Sequence, residues 1–147
     1  MGKQDRTVQT PPARYAHILH RVARILAVLF AVIIIHESLI PVSATPNVTH
    51  FDKLMHLIAY GALGVMFKLG WPKFNSYLLA AALISLGGGI EIAQAIMASG
   101  RTGSLADGLA NSVGVGLGIG FAILVLRVMH RGRDVSNRNS FRLAPEK

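Results

Sequence analysis

From Gly108 to Leu126 the chain carries no charged residue. A helix of that length is about 28 Å long, close to the ~30 Å of hydrocarbon in a bilayer. Four apolar runs of this kind recur, over residues 22–40, 54–70, 76–97 and 106–128. They are continuous rather than alternating, and an open sheet would leave backbone groups unsatisfied in lipid, so each reads as a helix. The composition agrees: 147 residues make one domain, and 52% hydrophobic with 15% charged residues is too apolar for an ordinary soluble one. The expected fold is all-α, an integral membrane four-helix bundle. Its weakest span is the second, the shortest run, with His56 near its start.

The net charge of +8 would ordinarily point to nucleic acid or to an anionic surface, and its placement decides. Lys3, Arg6, Arg14, Arg21 and Arg24 precede or open the first run, and Arg127, Arg131, Arg133, Arg138, Arg142 and Lys147 follow the last. Such clusters flank membrane spans, and nothing between them supplies the basic face of a DNA-binding module, so no nucleic-acid partner is expected. The turn from Lys68 to Lys73 is also basic, whereas residues 41–53 and 98–106 hold only Lys53 and Arg101. The positive-inside rule then puts both termini in the cytoplasm, with the chain multi-pass in the membrane. Residues 1–21 read as a basic cytoplasmic arm, 22–130 as the four-helix transmembrane domain, and 131–147 as a basic tail without fixed structure. A rival reading takes the first run and Val42-Ser43-Ala44 for a signal peptide, with a mature chain starting near Thr45.

Ionisable residues in a membrane helix cost about 2.5–3.5 kcal/mol each at its centre and so ask for a reason. Here they gather at one side. His36 and Glu37 close the first helix, Asp52 and His56 open the second, Glu91 and Gln94 come late in the third, and Asp107 and Asn111 open the fourth. Asp52, His56 and Tyr60 recur every four residues, as do Asp107 and Asn111, while Glu91 and Gln94 are three apart, so each set shares a helix face. Lys53 and Arg101 are the cations at this level. The groups can satisfy one another and fix the register of the bundle, or they can build a ligand site. Gly114 and Gly118, with Gly116 and Gly120, form small-xxx-small pairs for close helix approach.

Several chemistries can be weighed. His36, His50, His56, Asp52 and Glu91 match no helix-borne zinc motif, so no metal and no other cofactor is expected. Without cysteine there is no thiolate chemistry, and Ser104 lacks a nucleophile elbow. Glu91 and His56 are the candidates for general acid and base. An amphipathic headgroup at this depth is the natural ligand: anionic oxygens would meet Lys53 and Arg101, and amides or hydroxyls would meet Asp52, Gln94 and Asn111.

The order of these residues resembles the VanZ-like family of membrane proteins. The likeness runs through Ser38-Leu39-Ile40-Pro41, Asp52-Lys53-Leu54-Met55-His56 with Tyr60 and Leu63-Gly64, Glu91-Ile92-Ala93-Gln94, then Arg101, Ser104, Asp107, Asn111, Gly114 and Gly118. The resemblance implies a helical membrane domain, in a family named for a member that gives low-level resistance to the glycopeptide teicoplanin. It also implies handling of ligands at the outer surface of the cytoplasmic membrane. It singles out Asp52, Lys53, His56, Tyr60, Glu91, Gln94, Arg101, Asp107 and Asn111 as ligand-binding residues, and drops His36, Glu37 and His50. The expected partners are membrane lipids and a lipid-linked cell-envelope precursor or a glycopeptide-type antibiotic. An intramembrane enzyme acting on a lipid-linked substrate, and a structural partner in an envelope complex, are the alternatives.

Overall fold

The computed structural model describes the backbone over residues 13–40, 49–97 and 103–142, and side chains over 15–40, 51–97 and 103–132. All regular structure there is helical: α1 (Ala13–Leu39), α2 (Thr49–Gly70), α3 (Ser76–Met97) and α4 (Leu105–Arg142). The local causes of the boundaries are visible. Lys68 donates from Nζ to the carbonyls of Pro72 (3.0 Å) and Phe74 (2.8 Å), covering the C-terminal end of α2 where Pro72 cannot continue it. Asn75 Oδ1 accepts from the amides of Tyr77 (2.9 Å) and Leu78 (3.2 Å), which caps α3. The Val42-Ser43-Ala44 segment of the signal-peptide reading lies outside the described residues.

The helices overrun the apolar runs at three ends. α1 starts at Ala13 rather than near residue 22, α2 at Thr49 rather than 54, and α4 continues to Arg142 rather than stopping near 128, so the stretch expected to lack fixed structure from Gly132 is helical through Arg142. Hydropathy marks where a helix meets lipid, not where its hydrogen-bond ladder ends, and no proline interrupts the chain between Pro72 and Pro145.

α1, α3 and α4 are long and apolar enough to cross a membrane. Only 11% of the most apolar window of α1 is buried inside the protein. Leu29, Val32 and Ile33 are among its exposed residues, so its outer face is built for an apolar solvent. α2, which carries Asp52, Lys53, His56 and Lys68, is not among these spans, and it packs against all three other helices, as α3 does.

Around the bundle the order is α1, α2, α4, α3, with α1 and α4 out of contact. α2 and α4 share the largest interface and run parallel, since Leu57 and Gly61 meet Gly114 while Gly64 meets Val115 and Ile119. A Cβ at Gly114 would overlap the Leu57 carbonyl oxygen, and one at Gly118 would overlap that of Gly61. Gly116 and Gly120 have nothing within 4 Å of an added Cβ, so the second glycine pair takes no part in this contact. Tyr60, Leu63, Leu79, Leu83, Val115 and Ile119 form the core beside it, with Phe30, Ala31 and Ile34 of α1 packed on them.

The two ends of the bundle differ in charge. Where α1 begins and α2 ends, a cavity of about 1010 Å³ is lined by Arg24, Lys68, Lys73 and Arg127 with His17 and His20, and by no carboxylate. Arg24 donates to the Gly70 carbonyl at 2.8 Å and lies 5.5 Å from the Trp71 ring centroid. Glu37, Asp52, Glu91 and Asp107 lie at the other end.

Gly114→Leu and Gly118→Leu are expected to separate α2 from α4 and lower thermal stability in detergent by several degrees or prevent accumulation. Overpacking of this kind costs about 1–3 kcal/mol or more. Gly116→Leu and Gly120→Leu should leave the melting temperature nearly unchanged, and unfolding of the four variants side by side reads out the difference.

Candidate functional site

The acidic end is built at the N-terminus of α4. Gly103 lies so close to α3 that a Cβ there would overlap the Glu91 carbonyl oxygen, and this contact delivers the backbone amide of Ser104 to Glu91 Oε2 at 2.7 Å. Ser104 is also the cap of α4: its carbonyl accepts from the amides of Asp107 and Gly108 at 3.1 Å, and its Oγ lies 3.4 Å from the Asp107 amide. Buried carboxylates at a helix N-terminus face its partial positive charge and unpaired amides. That is how Glu91 and Asp107, both less than 10% exposed, are tolerated there.

Asn111 and Tyr60 fit against α3 because residue 87 is glycine. A Cβ there would come within 3.0 Å of Asn111 Nδ2 and 3.1 Å of the Tyr60 ring. His56 donates from Nδ1 to Asn111 Oδ1 at 3.1 Å, joining α2 to α4, and its Nε2 lies 4.0 Å from Asp52 Oδ1. One donor atom each of Asp52, His56 and Asp107 falls within 4.8 Å of the others. The stripe of Asp52, His56 and Tyr60 is graded: Asp52 is exposed, His56 partly buried, Tyr60 fully buried.

Three side-chain oxygens in this region are buried and have no hydrogen-bond partner among the described residues: the Tyr60 hydroxyl, Glu91 Oε1 and Asp107 Oδ1. They come from α2, α3 and α4. Each can accept, and the hydroxyl can also donate.

The remaining candidates fall in different places. Gln94 is buried but turns to α1, donating from Nε2 to the Ser38 carbonyl at 2.9 Å. Lys53 is partly buried on α2 and has an interaction partner. Arg101 and the His50 side chain lie outside the described residues. His36 and Glu37 are exposed and pair with each other at 3.3 Å, apart from the cluster. Two residues belong to the site that the sequence reading did not assign to it. Ser104 holds Glu91 and Asp107 together, and its signal was present as the capping pattern Ser104-x-x-Asp107. Gly87 supplies the space for Tyr60 and Asn111, and only the packing identifies that role.

A protein-family model described as VanZ/LLP1 matches residues 4–127. No curated protein and no solved structure matches the chain.

Losing a partner of a buried polar group costs about 1–3 kcal/mol. Glu91→Ala, which strips the Ser104 amide of its acceptor, is therefore expected to lower the melting temperature in detergent. Glu91→Gln keeps an accepting oxygen and should lose less. Gly103→Ala should resemble Glu91→Ala, because it pushes the Ser104 amide out of reach without touching the carboxylate.

Proposed function

The chain belongs to the VanZ/LLP1 family of membrane proteins, and from that membership we propose that its acidic end is an extracytoplasmic-side site for the headgroup of a lipid-linked cell-envelope precursor. The observation that carries this reading is the set of buried oxygens on Tyr60, Glu91 and Asp107 that have no hydrogen-bond partner among the described residues. Leaving such atoms unpaired in a membrane interior is costly, and a ligand with several hydroxyl, amide or ammonium donors would satisfy them together. Sugar and peptide headgroups carry such donors, and so do glycopeptide-type antibiotics. The lipid tail would lie along the exposed apolar flanks of α1 and α3. Lys53 and Arg101 are the groups for the anionic oxygens of the same headgroup.

The orientation in this proposal rests on the basic cavity at the opposite end, whose Lys and Arg residues are expected on the cytoplasmic side of a bacterial inner membrane. The chain contains no cysteine, so single cysteines report without background. In intact cells, Leu105→Cys should react with a membrane-impermeant maleimide and Lys73→Cys only after permeabilisation; the reverse pattern inverts the site to the cytoplasmic face.

Binding is tested with purified protein and a radiolabelled polyprenyl-linked sugar precursor in mixed micelles. Saturable binding, weakened about tenfold in Asp107→Asn by loss of one charged hydrogen-bond acceptor, is the expected result. Equal binding by wild type and by both Glu91→Gln and Asp107→Asn would remove the proposal. The second reading, an intramembrane enzyme, draws on Glu91 Oε1, which has no hydrogen-bond partner among the described residues, as a proton acceptor or donor, with His56 as its partner. Turnover of the same substrate, lost in Glu91→Gln, would favour it over simple binding.

A further inference from the structure

We infer that Asp52, His56 and Asp107 form a binding site for one divalent transition-metal ion of the zinc class. The argument begins with the imidazole. Asn111 Oδ1 can only accept, so the 3.1 Å contact puts the ring proton on Nδ1. In that tautomer Nε2 carries the lone pair that a metal needs, and it lies 4.0 Å from Asp52 Oδ1, itself an acceptor. That separation is too long for a shared proton and somewhat longer than the ~3.4 Å between neighbouring ligands of a tetrahedral ion with ~2.1 Å bonds. Metal-bound histidines characteristically donate their other ring N–H to a carbonyl or carboxylate oxygen, as His56 does.

Asp107 supplies the third ligand and the independent sign of a missing partner. Its side chain is more than nine-tenths buried, and its Oδ1 has no hydrogen bond among the described residues. The three donor atoms lie within 4.8 Å of one another, against about 3.4 Å for neighbouring ligands of a tetrahedral ion with ~2.1 Å bonds. The adjustment falls to Asp52, whose exposed side chain is free to turn. Two carboxylates and one dication are neutral together, which relieves the like-charge repulsion of placing Asp107 beside Asp52. One imidazole with two carboxylates is a ligand set for zinc or manganese more than for magnesium or calcium. With three protein ligands, a tetrahedral ion keeps a fourth position, open on the side of exposed Asp52, for water or a ligand oxygen. None of this requires a lipid in the site.

The test uses full-length protein in detergent, stripped with a chelator and free of any polyhistidine tag. It is titrated calorimetrically with Zn²⁺ and optically with Co²⁺, whose visible absorption reports its ligands. The expected result is one ion per chain. Asp52→Asn, His56→Gln and Asp107→Asn should each weaken it at least about tenfold, the scale of disrupting a metal site. His36→Gln, in the exposed pair outside the cluster, should leave it unchanged. Circular dichroism identifies a variant that has not folded, and Asp52→Asn, at an exposed side chain, keeps the test open if Asp107→Asn is such a case. No saturable binding by wild type at millimolar ion, or the same affinity in Asp52→Asn and His56→Gln as in wild type, overturns the inference. Because the titration contains no precursor lipid, zinc binding without headgroup binding would sink only the function proposed above, and headgroup binding without zinc only this inference.

Discussion

The rest of the bundle depends on the contact of two parallel helices at Gly61, Gly114 and Gly118. In a membrane, lipid tails are as apolar as leucine, so burial from water does not draw helices together, and close van der Waals fit must do so instead. With hydrogen in place of side chains, the backbones of α2 and α4 approach until Cβ atoms would overlap the carbonyls of Leu57 and Gly61. That approach sets the depth of everything on the two helices. It brings His56 level with Asn111 and Asp107, and it leaves α1 and α3 to pack on either side of the pair.

The same packing explains how a helix as polar as α2 can belong to a membrane domain. Phe51, Leu54, Met55 and Ile58 on α2 remain exposed, while Tyr60 and Lys68 turn inward and find their surroundings in protein. Lys68 is satisfied by two carbonyls at the turn it closes. At the other end Glu91 accepts from the first amide of the α4 cap, and Asp107 sits in the first turn of α4 with its backbone amide on Ser104. The bundle is therefore polarised, with acceptors concentrated at one end and cations at the other. A polar environment is confined to each end, while the middle, around Leu63, Leu79, Leu83 and Val115, is closed by apolar packing.

Much of the site was legible in the chain because the bilayer makes polar residues conspicuous. Asp52, His56, Tyr60, Glu91, Asp107 and Asn111 stood out for their cost in a membrane, and helical periodicity put them on shared faces. Gln94 stood out for the same reason, yet it links α3 to α1 through Ser38 rather than joining the cluster. Periodicity assigns a face to a residue but not the neighbour that face meets. Gly114 and Gly116 begin overlapping small-residue patterns that look equivalent in one dimension. Two positions is about 200° on a helix, so only one pair can face α2.

The sequence by itself determined that four helices form from apolar runs, that polar groups cluster at one end and basic ones at the other, and the family resemblance these residues carry. These follow from local chemistry: apolar length, turn residues and the energetic cost of charge. Tertiary structure alone decided that α2 and α4 lie side by side, that Asn111 orients His56, that Ser104 bridges Glu91 and Asp107, and that Asp52, His56 and Asp107 converge. Each of these joins residues separated by 12 positions or more or by a turn of a different helix. Their meeting depends on distances between helix axes, which no local pattern encodes.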